Sequence, residues 1–284
     1  SGGRLMMKTK TIRPGRIFSG IVLVFWTIVS IFPLYWMFIF SLKNNDEIYS
    51  GNPLALPQNW VWSNYTDALS KGHMARYFFN SILVTGVTIL LTIVIALTAS
   101  YAVSRLLFKG RKLINDFFML GLTIPIHAVL LPVFLILRSF HMLNTFASLF
   151  LPYASFALAM AIMICNSFMG NIPEELEEAA CIDGCGTFGI FFRIIVPLMK
   201  PALSTIAIFT FLQAWNELMF ATVFVSDSAH RTLTVGIQSL SGTYSTNWGP
   251  IGAALVIATF PTLVIYLFMS KKVQESLTAG AVKG

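Results

Sequence analysis

An all-α polytopic membrane protein with six transmembrane helices is the fold class this sequence predicts, on three observations. Of 284 residues, 56% are apolar and only 11% charged, with a mean hydropathy of +0.75, where a soluble domain carries roughly a quarter charged residues. Six apolar runs reach the roughly 20 residues needed to cross a bilayer as helix. The basic residues that give the chain its formal charge of +7 cluster beside those runs, as membrane topology requires, and form no polar face for nucleic acid.

The runs cover residues 17–42, 77–104, 117–137, 143–168, 202–225 and 250–270. With no water in the hydrocarbon to satisfy backbone N–H and C=O groups, each must be helical. The third is the least regular, because Pro125 and Pro132 each remove a helical hydrogen bond. The opening Ser1-Gly2-Gly3 lacks an initiator methionine. The first run is too long for a cleavable signal peptide and has no small-residue cleavage site, so it reads as a retained anchor. No short-period repeat or low-complexity tract is visible.

Lysine and arginine positions set the expected orientation. Fourteen fall in segment 1–16, the connection after the second run, segment 170–200 and the tail 271–284, against five in the connections on the other side. Positive residues favour the cytosol, so both termini and segment 170–200 are expected there, and loops 43–76 and 226–249 outside. Trp60 and Trp62 in the first outer loop suit either a lipid interface or a partner surface, the former being commoner. Cys165, Cys181 and Cys185 are odd in number and offer no disulfide framework. The Cys181 and Cys185 pair lacks a nearby histidine, so no metal site is expected.

Segment 170–200 differs from everything around it. Asn171-Ile172-Pro173-Glu174-Glu175 has the marks of a helix start, with proline in the first turn and acids at the positive end of the dipole. Leu176, Ala179, Ala180 and Ile182 follow, Asp183-Gly184-Cys185-Gly186 breaks the helix, and a second apolar pattern runs from Thr187 to Pro197 and Pro201. Two short helices around a glycine turn result. From the residues alone the segment is equally a docking knob for another protein and an amphipathic loop resting on the membrane.

Chemistry-bearing residues are sparse. No G-x-x-x-x-G-K-[ST] loop occurs, so ATP binding of the P-loop kind is not expected. No nucleophile, base and orienting group form a recognisable set, and no enzyme is expected. Ionisable groups inside the spans are functional suspects: Glu217, which would lie about 24 Å along its helix from Pro201, is a substrate contact or a hydrogen-bonded structural acid. His127 either bonds a carbonyl freed by Pro125 or relays protons. Neutral polar side chains suit a sugar path, since hydroxyls need donors and acceptors without fixed charge. The candidates are Asn80, Asn144, Asn166, Gln213 and Asn216, with Tyr153 and Trp215 offering ring faces, and most serve equally well to bond neighbouring helices.

Glu178-Ala179-Ala180, Asp183-Gly184 and Val196-Pro197, at their spacing, resemble the EAA signature of binding-protein-dependent ABC importer permeases. Cys185 replaces the usual small alanine and Val196 the usual leucine, both conserving size and apolarity. "FPLYWMFIFSLK", "FTFLQAWNELMFA" and the terminal "SLTAGAVKG" resemble the carbohydrate-uptake branch, of the MalG-like subunit type, over nearly the whole chain from about Arg13. The resemblance implies the type I ABC importer permease fold and a non-catalytic subunit of the bacterial or archaeal cytoplasmic membrane. It implies a second permease, two cytosolic ATPase subunits that bind ATP and magnesium, an extracytoplasmic solute-binding protein and a saccharide substrate. No cofactor is expected in this chain. Glu178, Ala179, Ala180, Asp183, Gly184 and Pro197 are assigned to coupling by the same resemblance, and Gly242, Thr243, Tyr244 and Ser245 to contact with the binding protein. The alternatives are a permease for another small solute, or an ion-coupled secondary transporter, which would need carboxylates or broken helices near the membrane centre.

Overall fold

The computed structural model describes residues 14–241 and 246–281. The first helix, α1 (Pro14–Phe40), is followed by two short helices, α2 (Asn45–Ser50) and α3 (Ser63–Ser70), and by the long α4 (Met74–Arg105). The third run divides into α5 (Arg111–Leu120) and α6 (Leu130–Ser139), and α7 (Ala147–Met169) is the fourth. Next come α8 (Glu175–Ile182), α9 (Thr187–Ile190), a π-turn at Phe191–Ile195 and α10 (Val196–Leu198). The chain closes with α11 (Lys200–Trp215), α12 (Met219–Phe224), α13 (Leu233–Ser239) and α14 (Trp248–Ala281). Among the described residues, four helices are long and apolar enough to cross a membrane, or up to six if each of two bent helix pairs counts as one.

Both breaks have local causes. Between α5 and α6 the axis turns by 97°, where Ile124 and Pro125 are extended (ψ 118° and 116°). A residue before proline is pushed out of the helical region, and proline withholds the N–H the helix needs. The second bend, 69°, separates Thr187–Leu198 from Lys200–Trp215 and follows the π-turn that precedes Pro197. The expected continuous fifth span over 202–225 is corrected: helix stops at Trp215 and resumes at Met219.

Where α4 meets α7, the buried faces are rich in small and hydroxylated residues. Along α4, Ser81, Thr85, Thr88, Thr92, Ala96 and Ser100 are buried at helical spacing, and Ala154, Ala157, Ala161 and Cys165 answer from α7. Small side chains let backbones approach where lipid supplies no hydrophobic drive. The last span crosses the end of the first at Gly252, where a Cβ would lie 2.7 Å from Phe40 Cδ1 and 2.9 Å from Ser41 Cα. The apolar stretch of α1 itself is not buried within the chain.

Loop 43–76 is tied to the bundle by side-chain bonds to backbone. Asn64 Nδ2 donates to the carbonyls of Ser41 and Lys43 (2.9 and 3.0 Å), and Glu47 accepts from the N–H groups of Gln58 and Asn59. Trp60 and Trp62 stack at 6.4 Å and remain half exposed. Helical backbone continues without interruption from the last span through 281.

Candidate functional site

Two features stand at opposite ends of the bundle. One is the short helix α8. Glu175, Glu177 and Glu178 occupy its first turn, where the macrodipole favours acids. At its far end Gly184 has φ +86°, its N–H donates to the Cys181 carbonyl (3.0 Å), and the Cys185 N–H donates to the Ala180 carbonyl (2.9 Å). This pair of bonds is a Schellman motif with glycine at the left-handed position, and it satisfies carbonyls the helix end would otherwise leave free.

The residues expected to carry coupling divide by face. Glu178, Ala179, Asp183 and Gly184 are exposed, together with Ile182 at 86%. Ala180 is buried at 8% exposure and packs with Ile190, Phe191 and Ile195 against α4 and α7. Of the two alanines that the resemblance assigns to coupling, only Ala179 faces outward. Ala180 instead lets α8 sit close on its own bundle. Pro197 is exposed in α10, where its missing N–H adjoins the π-turn.

Sequence reasoning missed what holds α8 in place. Arg105, the last residue of α4, has a side chain only 9% exposed and lies against Glu174 and Glu177 (2.8 and 2.9 Å). Its Nη2 donates to the carbonyls of Met169 and Ile172 (2.9 and 2.6 Å). In the sequence Arg105 registers only as a topological charge. The available signal was a pair of acids three residues apart, Glu174 and Glu177, at a helix start with no basic neighbour of their own.

At the other end, the turn at Ile126–Val129, α7, α11 and α12 enclose an open cleft of about 420 Å³ lined by His127, Tyr153, Phe156, Gln213, Asn216 and Glu217, among others. Glu217 lies in the break between α11 and α12, not on a continuous helix as expected. Its Oε1 accepts from the Phe220 N–H (2.9 Å), and its Oε2 from the Ala221 N–H (3.0 Å) and the Tyr153 hydroxyl (2.6 Å). The carboxylate thereby caps α12 and pins it to α7: it is a hydrogen-bonded structural acid at the edge of the cleft. His127 stands 6.1 Å from the Phe220 ring.

Four of the eight expected path residues, Tyr153, Gln213, Asn216 and Glu217, thus meet at one cleft. The other four are bonded elsewhere. Asn80 Nδ2 donates to the carbonyls of Ala229 and Arg231. Asn144, at φ +59°, accepts from the Ser226 and Asp227 N–H groups. Asn166 donates to Asn115 Oδ1 and accepts from the Ser104 hydroxyl. Trp215 Nε1 donates to the Ala258 carbonyl, beside a stacked Phe211. All four fix helices and loops to one another. Towards α8 the space between α7 and α11 narrows to a cavity of about 10 Å³ that shares Gln213. Gly242, Thr243, Tyr244 and Ser245 lie outside the described residues. No group of three or more metal-binding side chains occurs among the described residues.

Residues 89–278 match the family of binding-protein-dependent transport system inner membrane components. The chain belongs to this family. The permease is 36% identical over 273 residues to the trehalose/maltose transport system permease protein MalG of Thermococcus litoralis, covering 95% of this chain and 97% of that one. It is 34% identical over 270 residues to the diacetylchitobiose uptake system permease protein DasC of Streptomyces coelicolor, covering 95% and 98%. Its fold is that of a chain in a bacterial ABC transporter involved in the import of the acidic polysaccharide alginate, with a TM-score of 0.78, 21% identity and coverage of 92% and 98%.

Proposed function

We propose that this chain is the transmembrane permease subunit of an ATP-driven, binding-protein-dependent importer of sugars or oligosaccharides. It forms half of the translocation pathway with a second permease and couples through α8 to a separate cytosolic ATPase. The observation that carries the reading is α8 itself: an outward ridge of Glu178, Ala179, Ile182 and Asp183 held on a bundle whose opposite end opens in a polar and aromatic cleft. The ridge presents acids and a large apolar tip to a partner, while the amides of Gln213 and Asn216 and the rings of Tyr153 and Phe156 suit the hydroxyls and apolar faces of a saccharide.

The partner ATPase binds ATP and magnesium, and its closure draws α8 along and turns the cleft outward. Both termini and α8 lie in the cytosol of a bacterial or archaeal cell, which places the loop holding Gly242, Thr243, Tyr244 and Ser245 opposite an extracytoplasmic binding protein. Support comes from the charge asymmetry of the loops and from relatives whose names specify di- and oligosaccharide uptake.

The test is purification of the assembly from its native host through a tag on this chain, and reconstitution into proteoliposomes with ATP inside or outside. Labelled maltose, trehalose and diacetylchitobiose are the probes. Uptake that requires ATP and a co-purifying ATPase supports the reading. Uptake by this chain alone under a proton or sodium gradient refutes it in favour of a secondary transporter.

A further inference from the structure

We propose that Arg105 is the positioning residue that makes α8 and the second span, α4, move as one body. A pull on α8 then enters the bundle through this guanidinium instead of dissipating in the turn at 170–174. The inference deepens the coupling role proposed above and rests on it.

Apolar contact alone holds α8 weakly. The helix is eight residues long, and Ala180 is its one buried residue; Leu176 and Ile182 are 44% and 86% exposed. What remains is polar and converges on Arg105. Nη1 donates to Glu174 Oε1 (2.8 Å), Nη2 donates to the Met169 and Ile172 carbonyls, and Nε lies 2.9 Å from Glu177 Oε1. That last contact is too far off line for a hydrogen bond, so it acts as an ion pair. One planar fork thus reaches the end of α7, the turn after it and the first turn of α8, which a lysine's point charge does not do.

The two acids are not equivalent. The Glu174 side chain is 74% exposed and that of Glu177 15%, so water and salt screen the first far more than the second. Glu177 is also held from a second side, because the Tyr101 hydroxyl, one turn before Arg105 on α4, donates to its Oε2 (3.4 Å). Removing either member of the Arg105–Glu177 pair leaves a desolvated charge without its partner, and the helix turn it anchors is released.

The experiment compares Glu177→Gln and Arg105→Lys with the unaltered complex, and uses Glu174→Gln as the exposed control. Two quantities are read in the tagged complex from the native host: amide hydrogen exchange over 175–182, and labelled maltose, trehalose or diacetylchitobiose moved per ATP hydrolysed. Expected for Glu177→Gln and Arg105→Lys are retained ATPase subunits, exchange in α8 faster by about tenfold, and solute per ATP lower by about tenfold, within the usual range of coupling effects. Glu174→Gln should change neither by more than about twofold. Unchanged exchange and an unchanged ratio would overturn the proposal, as would loss of the ATPase subunits from both variants, which would make Glu177 a docking residue instead. Should the unaltered complex show no ATP-driven uptake, the transport reading fails while the exchange measurement still decides the role of Arg105.

Discussion

Replacing Gly184 with valine isolates the turn that ends α8. At φ +86°, apart from its two chain neighbours, no described residue comes within 4 Å of where a Cβ would stand, so the substitution meets no tertiary clash and acts through backbone strain. A left-handed conformation costs an L-residue roughly 1–2 kcal/mol, and a β-branched side chain adds to that. The turn's two bonds, Gly184 to Cys181 and Cys185 to Ala180, are worth about 1 kcal/mol each net. Strain of this size is comparable to what holds the turn closed, and shifts its population by a factor of about 5–30. Solute moved per ATP in proteoliposomes should fall accordingly at unchanged expression, with Gly184→Asn retaining more function because asparagine tolerates left-handed geometry. Equal ratios for glycine, asparagine and valine would refute the role given to the turn.

Three further outcomes are expected. Tyr153→Phe deletes the 2.6 Å bond to Glu217 and should destabilise the purified complex by about 1.5–3 kcal/mol, as for hydrogen bonds to charged groups, read as a lowered melting temperature; no change would mean that the α11–α12 break is held otherwise. Asn216→Leu and Gln213→Leu should each raise the apparent KM for the transported sugar by about fivefold, the worth of one hydrogen bond of about 1 kcal/mol, and unaltered KM values would remove these side chains from the path. Asp227 accepts from the Ala229 N–H and lies 2.9 Å from His230 Nδ1, which hold its carboxyl below the ordinary 3.8. A depressed carboxyl stabilises the loop above the unfolded value and loses that contribution as pH falls through the folded one, so proteolysis at 226–231 should be flat above about pH 4 and rise only below it.

The elements most legible in the sequence were those governed by a single local rule. Span lengths followed from the bilayer thickness, the irregular third run from Pro125, and the end of α8 from Gly184. The fifth run misled, because "FTFLQAWNELMFA" is apolar enough to read as continuous helix. What interrupts it is the Glu217 carboxylate accepting bonds from residues on two helices, a tertiary arrangement without sequence periodicity. Polar residues in the spans were recognisable as a class, yet their division was not. Gln213 and Asn216 line a cleft, while Asn80 and Asn144 bind backbone groups of loop 226–249 and Asn166 binds Asn115 and Ser104, and only the placement of distant segments separates these roles. Arg105 was hidden for the same reason, since its partners lie far along the chain at 169–177.

The link between permease and motor is tested most directly by a photo-cross-linking residue at Ile182, the 86% exposed last residue of α8, in the complex in native membranes. Cross-linking to an ATP-binding subunit, with a yield that changes when a non-hydrolysable nucleotide is added, is the expected result. Cross-links to lipid or to no protein at all, in membranes that still carry out ATP-driven uptake, would contradict it.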